Sequence, residues 1–155
     1  MTLHQGKTYT SDRVSLETPV PEMIRSAPQA EDIRGSVAHW LAEALKEETV
    51  YYFAISESGK LVGQVLLHDI DPKNKSSLVA YHLFDPANRG RGIGTEMLKL
   101  LQRFVSEETS IEKLFIITSR DNLASQGIAQ KCGFIYVGAS REDPIEGMVF
   151  EWRKT

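Results

Sequence analysis

Apolar and polar positions change period several times along the chain, and each change marks an element. The first twelve residues are polar and show no period, which predicts a loose N-terminal arm (1–12) ahead of one folded unit over 13–155. Val14 and Leu16 alternate with polar neighbours, a short strand over Arg13 to Thr18 that Pro19 and Pro21 end. From Met23 to Lys46 the period lengthens: Ile33, Val37, Trp40, Leu41, Ala44 and Leu45 fall on one helical face. Pro28 and Gly35 predict two pieces rather than one rod. Val50 to Ser56 and Leu61 to Ile70 then read as strands around a turn at 57–60, which makes a hairpin. A second turn at 71–75 leads to a strand from Ser77 to Phe84, and connections this short require three antiparallel strands.

Ile93, Met97, Leu100, Leu101, Phe104 and Val105 share one face of the clearest helix, with Glu96, Lys99, Gln102 and Arg103 opposite. Lys113 to Thr118 is a short buried-type strand, parallel to the strand before the helix because a crossover helix joins them. Asp121 or Asn122 caps a further helix that ends at Gly133, with Phe134 folding back toward Ile128 and Ala129. Ile135 to Ser140 and Met148 to Arg153 close the chain as two strands. The order β-α-α-β-β-β-α-β-α-β-β predicts an α/β single domain, a mixed sheet with helices on its faces.

Composition narrows the function classes. The chain has 155 residues, 41% of them hydrophobic, with a formal charge of −3. That charge argues against a general nucleic-acid binder and permits an amine-bearing substrate. A single cysteine, Cys132, forms no internal disulfide and no cysteine metal cluster, and His4, His39, His68 and His82 lack ligand spacing, so no metal is expected. No apolar run is long enough to cross a bilayer and no signal peptide is evident, so a cytoplasmic protein without a membrane partner is expected.

The chemistry concentrates in Arg89-Gly90-Arg91-Gly92-Ile93-Gly94-Thr95, between a strand and a helix start. Helix N-termini carry unpaired N–H groups and partial positive charge. Glycines let that backbone approach a phosphate, and Arg89 and Arg91 add charges able to fork onto phosphate oxygens. The loop lacks the Gly-Lys-Ser/Thr of a Walker motif, and no acidic ribose partner follows as a dinucleotide fingerprint requires. A plain flexible turn is the alternative, which two interleaved arginines disfavour.

The block from Tyr81 to Glu96, containing Arg89-x-x-Gly92-x-Gly94, and the block Asn122-x-x-Ser125-x-x-Ile128-x-x-Lys131-Cys132-Gly133-Phe134 together resemble the GNAT superfamily of acetyl-CoA-dependent N-acetyltransferases. The resemblance runs from Arg13 to Trp152, and its second block is most similar to the branch that acetylates ribosomal-protein N-termini. It implies that Arg89, Gly90, Arg91, Gly92, Ile93 and Gly94 hold the coenzyme A pyrophosphate, with Thr95 at the helix start. It implies that Leu83 and Phe84 pair with the pantetheine arm where this strand splays from the one at Ile116 to Thr118. Asn122 is implied near the pantetheine or sulfur.

The implied reaction is direct attack of a neutral amine on the thioester, helped by positioning, a backbone oxyanion donor, a base and a donor to the departing thiolate. Many relatives place a tyrosine as that donor where this chain has Ala129; Ser125, one turn earlier, is the candidate instead. His82, on the pantetheine strand, is the candidate base, with Asp69, His68, Ser119 or water as alternatives and a sheet-face histidine without a role as the bland reading. Trp40 is expected in the core, Tyr51, Tyr52 and Phe53 in strand packing, and Cys132 as a small buried residue. The first two helices and residues 143–147 are expected to line the acceptor pocket. The acceptor is an amine (protein N-terminus, polyamine, amino acid or aminoglycoside), and a homodimer through the closing strands is possible. The competing reading is a non-catalytic acyl-CoA-binding module; a nucleotide-binding enzyme using the same loop is a third.

Overall fold

The computed structural model of the protein describes residues 8–46 and 51–155. Within them, one mixed sheet contains β1 (Tyr9–Thr10), β2 (Val14–Glu17), β3 (Tyr51–Glu57), β4 (Lys60–Asp71), β5 (Ser76–Leu83), β6 (Lys113–Ser119), β7 (Ile135–Ala139) and β8 (Gly147–Arg153). Its order is β1-β2-β3-β4-β5-β6-β8-β7. The helices are α1 (Pro21–Ser26), α2 (Glu31–Lys46), α3 (Ile93–Glu108) and α4 (Leu123–Lys131). The mixed α/β fold is the one the periodicities predict. His4 and the strand start at Val50 lie outside the described residues.

The stretch read as an arm contributes an element. Tyr9 and Thr10 pair antiparallel with Leu16 and Ser15. Tyr9 is fully buried, its ring edge-on to Phe104 and its hydroxyl donating to Glu108. A tyrosine with no local period is thus held by a helix far along the chain. Pro28 separates α1 from α2, whereas Gly35 lies inside α2 with open space around it. Pro21 opens α1, where its missing N–H costs nothing.

Helices cover both sheet faces, so β3 and β4 carry continuous buried runs rather than alternation. One face packs Phe53, Ile55, Val65 and Leu67 against Met97, Leu101, Phe104 and Val105 of α3. The other packs Tyr52, Leu66 and Phe84 against Ile24, Val37, Leu41 and Ala44 of α1 and α2. Burying a large apolar side chain contributes roughly 1.5–3 kcal/mol, and α3 buries seven of them, so that helix anchors the fold. α4 ends as predicted: Gly133 is left-handed (φ 84°) and the Phe134 N–H donates to the Ala129 carbonyl.

The feature that positions a site is where two strands part. β5 and β6 run parallel, but their ladder stops at Leu78 and Phe115. Beyond it, Val79 to Leu83 stays paired with β4, and Ile116 to Ser119 stays paired with β8. The two segments diverge, giving the predicted splay. The Phe84 N–H donates to Val62 O of β4. Consecutive residues on an antiparallel strand direct their backbone groups to opposite sides, so Leu83 and Tyr81 turn theirs into the gap.

Candidate active site

One end of the gap opens on the start of α3. Gly92 is its N-cap in the left-handed region (φ 82°), and no side chain caps the helix, so the N–H groups of the first turn stay open. Gly94 sits where α4 presses against the helix start: a Cβ there would lie 2.6 Å from Ile128 Cδ1, so any side chain would make the tip of Ile128 shift. Arg89 lines the cleft and has no ion pair among the described residues.

Arg91 does not join it. Its guanidinium forks onto Glu57 at 3.1 and 3.0 Å and donates to Asn88 Oδ1 at 2.9 Å. Glu57 also accepts from Arg13 at 3.1 Å, and Arg13 Nε reaches Glu96 at 2.7 Å while donating to the Arg91 carbonyl. Arg91 is thus engaged by a carboxylate and, unlike Arg89, is not among the residues that line the cleft. A carboxylate on the β3–β4 hairpin holds it outside the cleft, where it braces the loop. Phe84 does not line the cleft either. Its side chain is buried beneath α2, its N–H donates to the Val62 carbonyl and its own carbonyl accepts from the Ala30 N–H, so both backbone groups are engaged within the fold.

The cleft encloses about 1230 Å³ and runs from Asn88–Thr95, past Leu83, Tyr81, Ile116 and Ser125, to Asp32, Trp40, His68, Asp69 and His82. Gly90, Gly92, Ile93, Gly94 and Asn122 line it with Arg89. Ile93 has a fully buried side chain, so its backbone is what it can present. Asn122 is the cap of α4, accepting from the Ser125 N–H through Oδ1 at 3.1 Å. Its amide donors remain for a ligand.

Ser125 faces the cleft, and the Tyr81 hydroxyl donates to its Oγ at 3.1 Å. Burial raises the Tyr81 pKa, so the phenol stays protonated. Ala129 is fully buried in the core under α4 rather than on the cleft. A phenol therefore does stand beside Ser125, supplied by β5. Tyr81 lies inside the matched block, yet nothing local distinguishes it from a packing tyrosine.

At the far end, Gln64 Nε2 lies 3.2 Å from His82 Nδ1, and the Tyr52 hydroxyl donates to Gln64 Oε1. Tyr52 and Gln64 are fully buried, so a wired polar row supports the imidazole from beneath. The signal available in the sequence was a glutamine inside the otherwise apolar run 61–67 of β4. With Nδ1 accepting from Gln64, the proton of the neutral ring sits on Nε2. Burial holds the His82 pKa below its ordinary value. His68 is likewise lowered by burial, partly opposed by Asp69, whose carboxylate lies 2.6 Å from Nδ1. Trp40 packs at the edge of the core rather than inside it: it is half-buried against the cluster beneath α1 and α2, lines the cleft, and sets its ring 4.3 Å from that of His68. Ser119 hydrogen-bonds Asp121 at 2.6 Å, away from these groups. Cys132 is buried and its thiol is pushed up to about 11, which suits a packing residue. Of the expected acceptor elements, α2 lines the cleft and α1 does not; Glu142 lines it just before residues 143–147.

The family described as "Acetyltransferase (GNAT) domain" matches residues 9–135. The SPbeta prophage-derived N-acetyltransferase YokL of Bacillus subtilis (strain 168) is 26% identical over 107 residues, 69% of this chain and 60% of that protein. The ribosomal-protein-serine acetyltransferase of Escherichia coli (strain K12) is 28% identical over 90 residues, 58% of this chain and 50% of that protein. The chain thus spans about half the length of these curated relatives. The microcin C7 self immunity acetyltransferase MccE, solved in complex with acetyl-CoA and AMP, shares the fold at a TM-score of 0.70 and 19% identity, with 93% of this chain and 94% of that one covered.

Proposed function

The chain belongs to the GNAT acetyltransferase family, and we propose that it transfers an acetyl group from acetyl-CoA directly to a primary amine, on a small molecule or a protein N-terminus. The observation that carries this reading is the continuity of one cleft, from the open first turn of α3 through the β5–β6 splay to an acidic mouth.

The residues fit coenzyme A. The open N–H groups of Ile93, Gly94 and Thr95, with Arg89, suit a pyrophosphate, and Gly90 and Gly92 leave its approach clear. The inward-turned backbone of Leu83 and Tyr81 suits an extended amide arm, as do the Asn122 amide donors. When bound, acetyl-CoA supplies a thioester carbonyl as electrophile and a thiolate as leaving group. The protein's largest contribution is then placement, since a well-oriented pair can gain about 7–11 kcal/mol over free encounter. A gap-facing N–H of β5 is suited to the developing oxyanion, an interaction worth about 3 kcal/mol in other acyl-transfer sites. Ser125, which lines the cleft, would be the hydrogen-bond donor to the departing sulfur.

Asp32, Asp69 and Glu142 at the mouth favour an ammonium-bearing acceptor, with Trp40 as a flat contact. That acceptor must lose a proton before attack. His82 is unprotonated at neutral pH, the form a base needs, and it accepts at Nε2 once the Gln64 amide turns its oxygen toward Nδ1–H. Deprotonation through water needs no such turn. The relationship to a ribosomal-protein-serine acetyltransferase makes N-terminal peptides the first acceptors to try.

The experiment is incubation with acetyl-CoA and a panel of N-terminal peptides, polyamines, amino acids and aminoglycosides, following thiol release. Turnover on an amine is expected. Coenzyme A binding without turnover on any amine favours the non-catalytic module. No coenzyme A binding by calorimetry refutes the reading altogether.

A further inference from the structure

We propose that Tyr81 is a positioning residue for the leaving-group end of the reaction: its phenol occupies one lone pair of Ser125 Oγ and so aims the serine hydroxyl proton into the cleft. This rests on the reading that acetyl-CoA occupies the β5–β6 splay. The geometry is direct, because the Tyr81 hydroxyl donates to Ser125 Oγ at 3.1 Å and both residues line the cleft. The serine backbone is fixed as well, since its N–H is held by Asn122 Oδ1 at 3.1 Å. A hydroxyl with its backbone capped and one lone pair occupied retains one rotor. That rotor cannot point at the donating phenol, which leaves the cleft side.

The site also accounts for the burial of Ala129. A phenol on that turn of α4 would enter the core, whereas β5 delivers one to Ser125 from across the gap. The chain therefore has a two-hydroxyl row in which Ser125 makes the contact to sulfur and Tyr81 orients it. No proton need leave either residue. As the C–N bond forms and the C–S pair departs onto sulfur, Ser125 donates a hydrogen bond to the thiolate. The thiolate then takes a proton from water and the attacking nitrogen loses one to water, so charge balances. The titratable neighbours are Cys132, whose thiol stays neutral up to about 11, and Lys131, which lines the cleft near the α4 end.

The test uses product rather than turnover. Coenzyme A is bound to wild type, Ser125→Ala, Tyr81→Phe and the double variant, and the pKa of its bound thiol is read from the pH dependence of alkylation. A hydrogen bond to a charged group should lower that pKa, so Ser125→Ala is expected to raise it by about one unit, a tenfold loss of thiolate at a given pH. Tyr81→Phe should shift it the same way by less and add nothing in the Ser125→Ala background. Acetyl-CoA turnover should fall in kcat with KM for acetyl-CoA held, and the deficit should vanish with 4-nitrophenyl acetate, whose leaving group needs no donor. Binding with the thiol pKa unmoved by Tyr81→Phe, or additive effects of the two substitutions, overturns the proposal alone. Absence of coenzyme A binding to the wild type overturns the reading it rests on. If Tyr81→Phe does not fold, an unshifted thiol pKa in Ser125→Ala is sufficient to reject the row.

Discussion

Gly63 sits on β4 opposite Leu83, where the sheet carries the gap-facing end of β5. A Cβ built on it would lie 2.3 Å from the His82 carbonyl oxygen and 3.3 Å from His82 C and Leu83 Cα. These are backbone atoms and cannot rotate away. Restoring an ordinary carbon contact requires β4 and β5 to part locally by roughly 1 Å. That strains the flanking ladder bonds, each worth about 0.5–1.5 kcal/mol net, and overpacking of this kind typically costs about 1–3 kcal/mol. Gly63→Ala should therefore destabilise by about 3 kcal/mol and lower Tm by roughly 6–12 °C. Gly35 is the control: exposed in α2, with nothing within 4 Å of an added Cβ. Gly35→Ala should stabilise by about 0.5–1 kcal/mol through helix propensity. Scanning calorimetry and urea unfolding read both. Because the clash falls on His82 and Leu83, Gly63→Ala should also weaken coenzyme A binding, while Gly35→Ala leaves it unchanged. A Gly63→Ala protein within about 2 °C of wild type would refute the packing argument.

The other expectations concern charge and titration. Arg89→Glu should weaken coenzyme A at least tenfold by calorimetry, since charged hydrogen bonds are worth about 1.5–3 kcal/mol, whereas Arg91→Ala, removing a guanidinium already held by Glu57, should cost less; equal losses would contradict the two orientations. His68 and His82 both have pKa values lowered chiefly by burial, so the unfolded chain takes up protons first as pH falls. Stability should be flat above about pH 6.5 and decline below it, and His82→Gln should reduce that acid slope; an urea midpoint unchanged by the substitution at low pH would count against a buried neutral imidazole. Cys132, with its thiol pushed up to about 11, should react slowly with a disulfide reagent at neutral pH in the native protein and quickly in urea, and rapid native labelling would show the site open.

What the sequence made legible follows the range over which each signal acts. Helix α3 and the Gly133 ending of α4 depend on residues within a few turns, so pattern and local chemistry suffice. The parallel placement of β5 and β6 follows from connection length alone. β1 could not be read this way, because the burial of Tyr9 depends on distant partners, Phe104 and Glu108 of α3 among them. Trp40 shares a stripe with core residues, yet it sits at that stripe's edge against His68. Periodicity places a residue on a face and does not say where the face ends.

The site separates the same way, into a half set by consecutive residues and a half set by contacts between distant elements. The glycine and arginine loop is legible because an anion cradle is built from consecutive residues. Which arginine faces the ligand is not, since Arg89 and Arg91 are chemically identical and only the carboxylate of Glu57, on another hairpin, distinguishes them. The pantetheine strand shows the same limit. Leu83 and Phe84 are neighbours of like character, but the bond from the Phe84 N–H to Val62 assigns one to the sheet and the other to the gap. Tyr81 completes the series, because its role comes from parity on β5 combined with the approach of α4 that Gly94 permits. Each undecided choice is thus binary, and each is resolved by one contact from a distant element. Single substitutions at Glu57 and Gly63 should therefore disturb ligand binding even though neither residue lines the cleft.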